Sequence, residues 1–128
     1  MLKNAHKFDY ISPCWYDLSF SSDHIIIEND KLYNDTFVKL IKRANPKIKI
    51  LPRFYISSNQ RALLHSIGSF EAKFKQAIGL IVTMIENQKF DGLVWDSPFN
   101  TLIAGEKNVG IRNLIVQFVN SIRMNLAN

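Results

Sequence analysis

The chain has 128 residues, 47% of them hydrophobic and 12% aromatic, with a formal net charge of +5. That length fits one domain, and so large an apolar share excludes a disordered polymer. The basic residues are scattered (Lys3, Lys7, Lys39, Lys42, Arg43, Lys47, Lys49) rather than gathered into a stripe, which reads as a solvated surface and not as a nucleic-acid interface.

FDYISPCW (8–15) is the first stretch rich in β-formers, and it runs into Pro13. Residues 20–34, FSSDHIIIENDKLYN, hold a further apolar run, HIII, read as a small excursion. Asn34-Asp35-Thr36 then opens a short amphipathic helix carrying Phe37, Val38, Leu40 and Ile41, which ends before Asn45-Pro46. IKILPRFYI (48–56) is the second strand, interrupted by Pro52. Ser69 is placed to cap a helix whose Phe70, Phe74, Ile78, Ile81, Val82 and Ile85 recur at three-to-four spacing. FDGLVW (90–95) is the third strand, reaching Pro98 after WDS. Ile111, Leu114, Ile115, Phe118, Val119 and Ile122 repeat the helical spacing near the end of the chain.

Proline lacks a ladder donor, so each of the three prolines is expected at a strand end. The order β-α-β-α-β-α, with strands apolar on both faces, predicts an α/β fold with a parallel sheet flanked by helices. Three such units are too few for a complete eight-stranded barrel, which needs about 250 residues. A partial barrel would leave open sheet edges, which invite self-association.

Several chemistries are excluded. Cys14 is the sole cysteine, so no internal disulfide forms, and its apolar setting reads as a buried, inert thiol. His6, His24 and His65 share no ligand spacing, and neither a metal nor a cofactor is expected. No apolar run approaches the roughly 18 residues of a membrane span. The first fifteen residues lack the apolar centre of a signal peptide; taken alone, that reads as soluble and cytoplasmic.

In parallel α/β folds, function gathers at the C-terminal ends of the strands. Those ends supply Trp15, Tyr16 and Asp17, then Arg53, Phe54 and Tyr55, then Asp96, Ser97 and Asn100. Rings beside carboxylates and an amide suit sugar binding, because rings stack on the apolar faces of pyranoses. The alternative is that the rings are core and the polar groups cap loops. The binding candidates taken forward are Trp15, Tyr16, Arg53 and Asp96.

YISPCW (10–15), KILPRF (49–54) and NQKFDGLVWD (87–96) resemble three consecutive strands of the family 18 glycoside hydrolase (chitinase-like) barrel. The likeness is nearest to its lectin-like, chitinase-domain-containing members and spans about strands two to four, within residues 6 to 120. It implies a (β/α)8 TIM-barrel type of fold of which residues 1–128 form a part. It also implies secretion or a lysosomal location, and a chitooligosaccharide-like glycan as partner.

Active members of that family carry D-G-x-D-x-D-x-E, with the final glutamate as general acid. On this chain the motif falls on Asp91, Gly92, Val94, Asp96 and, at the acid position, Pro98. Side chains alternate along a strand, so Val94, Asp96 and Pro98 share the interior face, whereas Trp95 turns to the helix layer. Loss of a general acid removes about 10²–10⁴-fold in rate. Asp91 lies about 16 Å from Asp96, beyond the roughly 5–9.5 Å of glycosidase carboxylate pairs. The resemblance therefore implies a non-catalytic carbohydrate-binding protein. The alternatives are a divergent glycoside hydrolase using Asp96 or Asp91, and a fragment that needs a partner. The loop after the second strand, Ile56-Ser57-Ser58-Asn59, departs from the family pattern.

Overall fold

The computed structural model describes residues 2–20, 25–28, 30–56, 67–96 and 109–127. A 3-10 helix at Leu2–Lys7 leads into β1 (Tyr10–Ile11), β2 (Tyr16–Phe20) and β3 (Ile25–Glu28). Helix α1 spans Asp35–Ala44, followed by β4 (Lys49–Ile50) and β5 (Arg53–Ile56). Helix α2 spans Ile67–Gln88, β6 Val94–Asp96 and α3 Val109–Ala127. The chain is a mixed α/β fold.

Among the described residues two sheets are formed, β1-β4 and β3-β2-β5-β6, and all pairings but β2–β3 are parallel. The lower pair flows into the upper sheet. Lys49 N–H donates to Asp9 O, Leu51 N–H to Ile11 O and Arg53 N–H to Pro13 O, at 2.9, 2.9 and 2.8 Å. On the other side Asp91 N–H donates to Ile50 O and Val94 N–H to Pro52 O, both at 3.0 Å. Three parallel runs therefore lie side by side in chain order, separated by α1 and α2. Pro13 and Pro52 lie, as expected, outside the strands, in the breaks between β1 and β2 and between β4 and β5. Each forfeits its own donor, yet its carbonyl still accepts a ladder bond, so the run bends and continues. Pro98 lies outside the described residues.

The bends carry extra residues. Ile11 faces Ile50 and Tyr16 faces Phe54, so five residue steps on the first run oppose four on the second. On the third run, Asp91 to Val94 covers three steps between hydrogen bonds to Ile50 and Pro52, which are two apart. Both are bulges, which bend a strand and change which face its side chains meet. Gly92 sits in the second with φ +153°, a conformation that side chains disfavour, and an added Cβ there would lie 3.0 Å from Leu51 Cδ2.

The HIII excursion is β3, which pairs antiparallel with β2 from Asp17↔Glu28 to Phe20↔Ile25. It occupies the edge where a parallel barrel would place the preceding strand. The sheet is accordingly mixed rather than all-parallel, no closed barrel is formed among the described residues, and β3 in place of β2 is an edge strand.

One face of the upper sheet is core. Tyr16, Leu18 and Phe54 are buried, and Tyr16 stacks on Phe54 with ring centroids 4.9 Å apart. Trp95 meets Phe118 of α3 at 4.9 Å, and Phe118 meets Phe74 of α2 at 4.4 Å. The helix stripes are met in part, the side chains of Phe70, Ile111, Leu114 and Ile115 lying outside the described residues. Phe74, Ile81 and Ile85 of α2 and Phe118 and Ile122 of α3 are buried, whereas Leu40 and Val119 are exposed. Helix α2 begins at Ile67, before Ser69, so Ser69 is not its cap. Helix α1 is capped by Asn34, whose Oδ1 accepts from Phe37 N–H at 2.9 Å.

Candidate functional site

Because Tyr16, Phe54 and Trp95 point to the helices, their neighbours along each strand point away. Cross-strand register then aligns four side chains in one row: Glu28↔Asp17, Asp17↔Tyr55 and Tyr55↔Asp96. At about 4.8 Å per strand the row is about 14 Å long. Asp17, Tyr55 and Asp96 are half-buried and Glu28 is exposed. Arg53, two residues before Tyr55 and thus on the same face, lies 3.1 Å from Asp96 Oδ2 through Nη1. Its guanidinium carbon is 5.7 Å from the centre of the Tyr55 ring. A ring flanked by carboxylates and steadied by a cation offers a stacking platform with hydrogen-bond acceptors on either side and a donor fork beside it.

Arg53 and Asp96, both expected from the sequence, are brought into direct contact. Trp15 and Tyr16 are not part of this face. Trp15 is 8% exposed and Tyr16 2%. Trp15 packs edge-on against Tyr33 at 5.3 Å and Phe37 at 6.2 Å, and lies 5.9 Å from Phe90. The physical reason is the first bulge. The extra residue before Tyr16 lets two consecutive rings enter the core, and it is Asp17 that reaches the open face. The expectation of a Trp15–Tyr16 sugar platform is corrected accordingly. The ring on the open face is Tyr55, and its signal was its position two residues after Arg53 and one after the core residue Phe54. Glu28 carried no signal without the β2–β3 register.

The motif positions divide. Val94 and Asp96 share the open face and Trp95 faces the helices, as alternation predicts. Ser97, Pro98 and Asn100 lie outside the described residues. Asp91 is a strand fastener: its Oδ2 accepts from Ile50 N–H at 2.8 Å and from Lys42 Nζ at 3.0 Å. Lys42 also donates to Ile48 O at 2.7 Å. Desolvation works to raise the pKa of Asp91. The Ile50 hydrogen bond and the Lys42 and Lys49 charges outweigh it and hold the carboxyl below the usual carboxylate range. Such a group is committed to its partners and unsuited to donating a proton near neutral pH.

No group of three or more His, Cys, Asp or Glu residues placed to hold a metal ion occurs among the described residues. No described helix is long and apolar enough to cross a membrane. No family model matches the chain, and no curated protein matches it.

Proposed function

We propose that the chain is a non-catalytic carbohydrate-binding protein, with a chitooligosaccharide or related glycan lying across the sheet at Asp17, Tyr55, Arg53 and Asp96. The supporting observation is the row itself: an aromatic ring set between two carboxylates on the face turned from the helices. A pyranose stacked on Tyr55 would place its hydroxyls toward Asp17 and Asp96, with Arg53 as donor. Ring stacking of this kind supplies affinity, and the polar groups supply orientation. The resemblance to chitinase-like barrels, with Pro98 at the acid position, supports binding without turnover and, by the same resemblance, secretion or a lysosomal location. Calorimetry with N-acetylglucosamine oligomers tests it. Binding weakened about tenfold or more by Tyr55→Ala and by Asp96→Ala is expected, with no release from a fluorogenic chitobioside. Oligomers that give no heat with the folded wild type overturn the reading, and turnover abolished by Asp96→Asn would transfer it to the hydrolase alternative.

A structural reading has one observation in its favour. Leu93, just before β6, and Trp95 on it border a largely apolar, partly open cavity of about 420 Å³ lined also by Val119, Ile122 and Leu126 of α3. Among the described residues β6 pairs only with β5, so this edge is placed to receive a further strand. Sedimentation that finds a monomer at all accessible concentrations argues against a second copy there.

A further inference from the structure

We propose that Asn34 is an acceptor for an N-linked glycan. Asn34-Asp35-Thr36 is the sole place in the sequence where asparagine is followed two residues later by Ser or Thr without an intervening proline, the acceptor pattern for amide glycosylation. All three residues are exposed. Their side-chain roles are divided in a way that leaves the reactive atom available. Asn34 Oδ1 caps α1 by accepting from Phe37 N–H, while among the described residues no group accepts from Asn34 Nδ2. Asn34 itself is extended, with φ −130° and ψ 98°. Asp35 and Thr36 begin the helix, where fraying costs least, so the tripeptide can open to an enzyme without disturbing the core.

The donor is an oligosaccharide linked to a lipid diphosphate. The bond from its anomeric carbon to the phosphate oxygen breaks, and the lipid diphosphate leaves with the electron pair. A bond forms from that carbon to Asn34 Nδ2, which loses one proton. The amide carbonyl is unchanged by this step. A glycosylated Asn34 therefore keeps the oxygen that caps α1, and the glycan projects from the surface beside the helix.

The test is translation of the full chain, behind a cleavable signal sequence, into microsomes, scoring only protease-protected chains. A single mass increase removed by a peptide amidase, with conversion of Asn34 to aspartate, is expected. It is lost in Asn34→Asp and Thr36→Ala and kept in Thr36→Ser. Asn34→Asp preserves a capping oxygen, so its helix content should equal that of wild type. Protected wild-type chains with no increase overturn the proposal, as does an increase that survives in Asn34→Asp. A melting temperature markedly lower with the glycan than after its removal would overturn the retained cap.

Discussion

Asp91→Ala should be among the more damaging changes at an exposed carboxylate of this chain. The wild-type side chain holds two donors from elements remote in sequence, the Ile50 N–H of β4 and the Lys42 ammonium of α1. Truncation leaves the Ile50 N–H without its acceptor in a part-buried setting, at a cost of about 1–3 kcal/mol. Lys42 retains the Ile48 carbonyl, so the lost ion pair adds only about 0–1 kcal/mol at this exposure. The expected loss is about 2–3 kcal/mol, a large fraction of the roughly 5–15 kcal/mol of a typical domain. Asp91→Asn keeps a carbonyl acceptor for Ile50 and should lose about 1 kcal/mol.

The pH dependence gives an independent check. The folded carboxyl titrates below its unfolded counterpart, so on acidification the unfolded chain takes up the proton first. The stability due to the charge is complete above the unfolded value of about 3.9. It falls as pH drops from there and is gone below the folded value. Urea unfolding at pH 7 and at successive steps below pH 4 should show wild type converging on Asp91→Asn. An Asp91→Ala variant within 0.5 kcal/mol of wild type at pH 7, or a gap to Asp91→Asn unchanged at the acid end, refutes the assignment of Asp91 as a fastener.

Two further outcomes follow from the packing. Trp15→Ala should lower stability by about 3–5 kcal/mol, as measured by denaturant unfolding, while any glycan affinity of the chain that remains folded stays at the wild-type value; a selective loss of affinity would restore Trp15 to the site. Gly92→Ala should cost about 1–3 kcal/mol because of its positive φ. Leu51, a flexible side chain, is the only near neighbour among the described residues and can yield, so a near-neutral melting curve would show that the backbone there relaxes.

The α/β class and the three parallel runs were legible because each run is apolar, bounded by turn chemistry and separated by a helix with clear three-to-four spacing. Alternation was enough to put Trp95 against the helices and Asp96 on the opposite face, since β6 is short and regular. The strand-end rule misplaced Trp15 and Tyr16, which are buried. Nothing within YISPCWYD reveals an extra residue, because a bulge is defined by the partner strand's register and not by the strand's own composition. The direction of β3 was hidden for the same reason: HIII reads equally well as a parallel or an antiparallel strand. Arg53 and Asp96 were identified separately as strand-end residues, and their contact follows from the register Tyr55↔Asp96, which places Arg53 one pleat below.

The candidate site therefore depends on a backbone feature at a residue whose side chain does little. Cys14, which its apolar neighbours suggested would be buried, is exposed, so Cys14→Ser should fall within about 0.5 kcal/mol of wild type. Deleting Cys14 is another matter, because it removes the extra residue between Ile11 and Tyr16. A one-residue change in register exchanges the two faces of a strand. Asp17 would then turn to the helices, and Tyr16 and Leu18, now 2% and 0% exposed, would turn outward. Each of those two side chains gives up about 1.5–3 kcal/mol of burial, and Asp17 adds the cost of an enclosed carboxylate. The sum is comparable with the whole stability of a domain, so the deletion variant should unfold or lose its cooperative transition in urea. If it melts within 1 kcal/mol of wild type, the strand takes its extra residue from elsewhere, and the argument that this bulge delivers Asp17 to the open face fails.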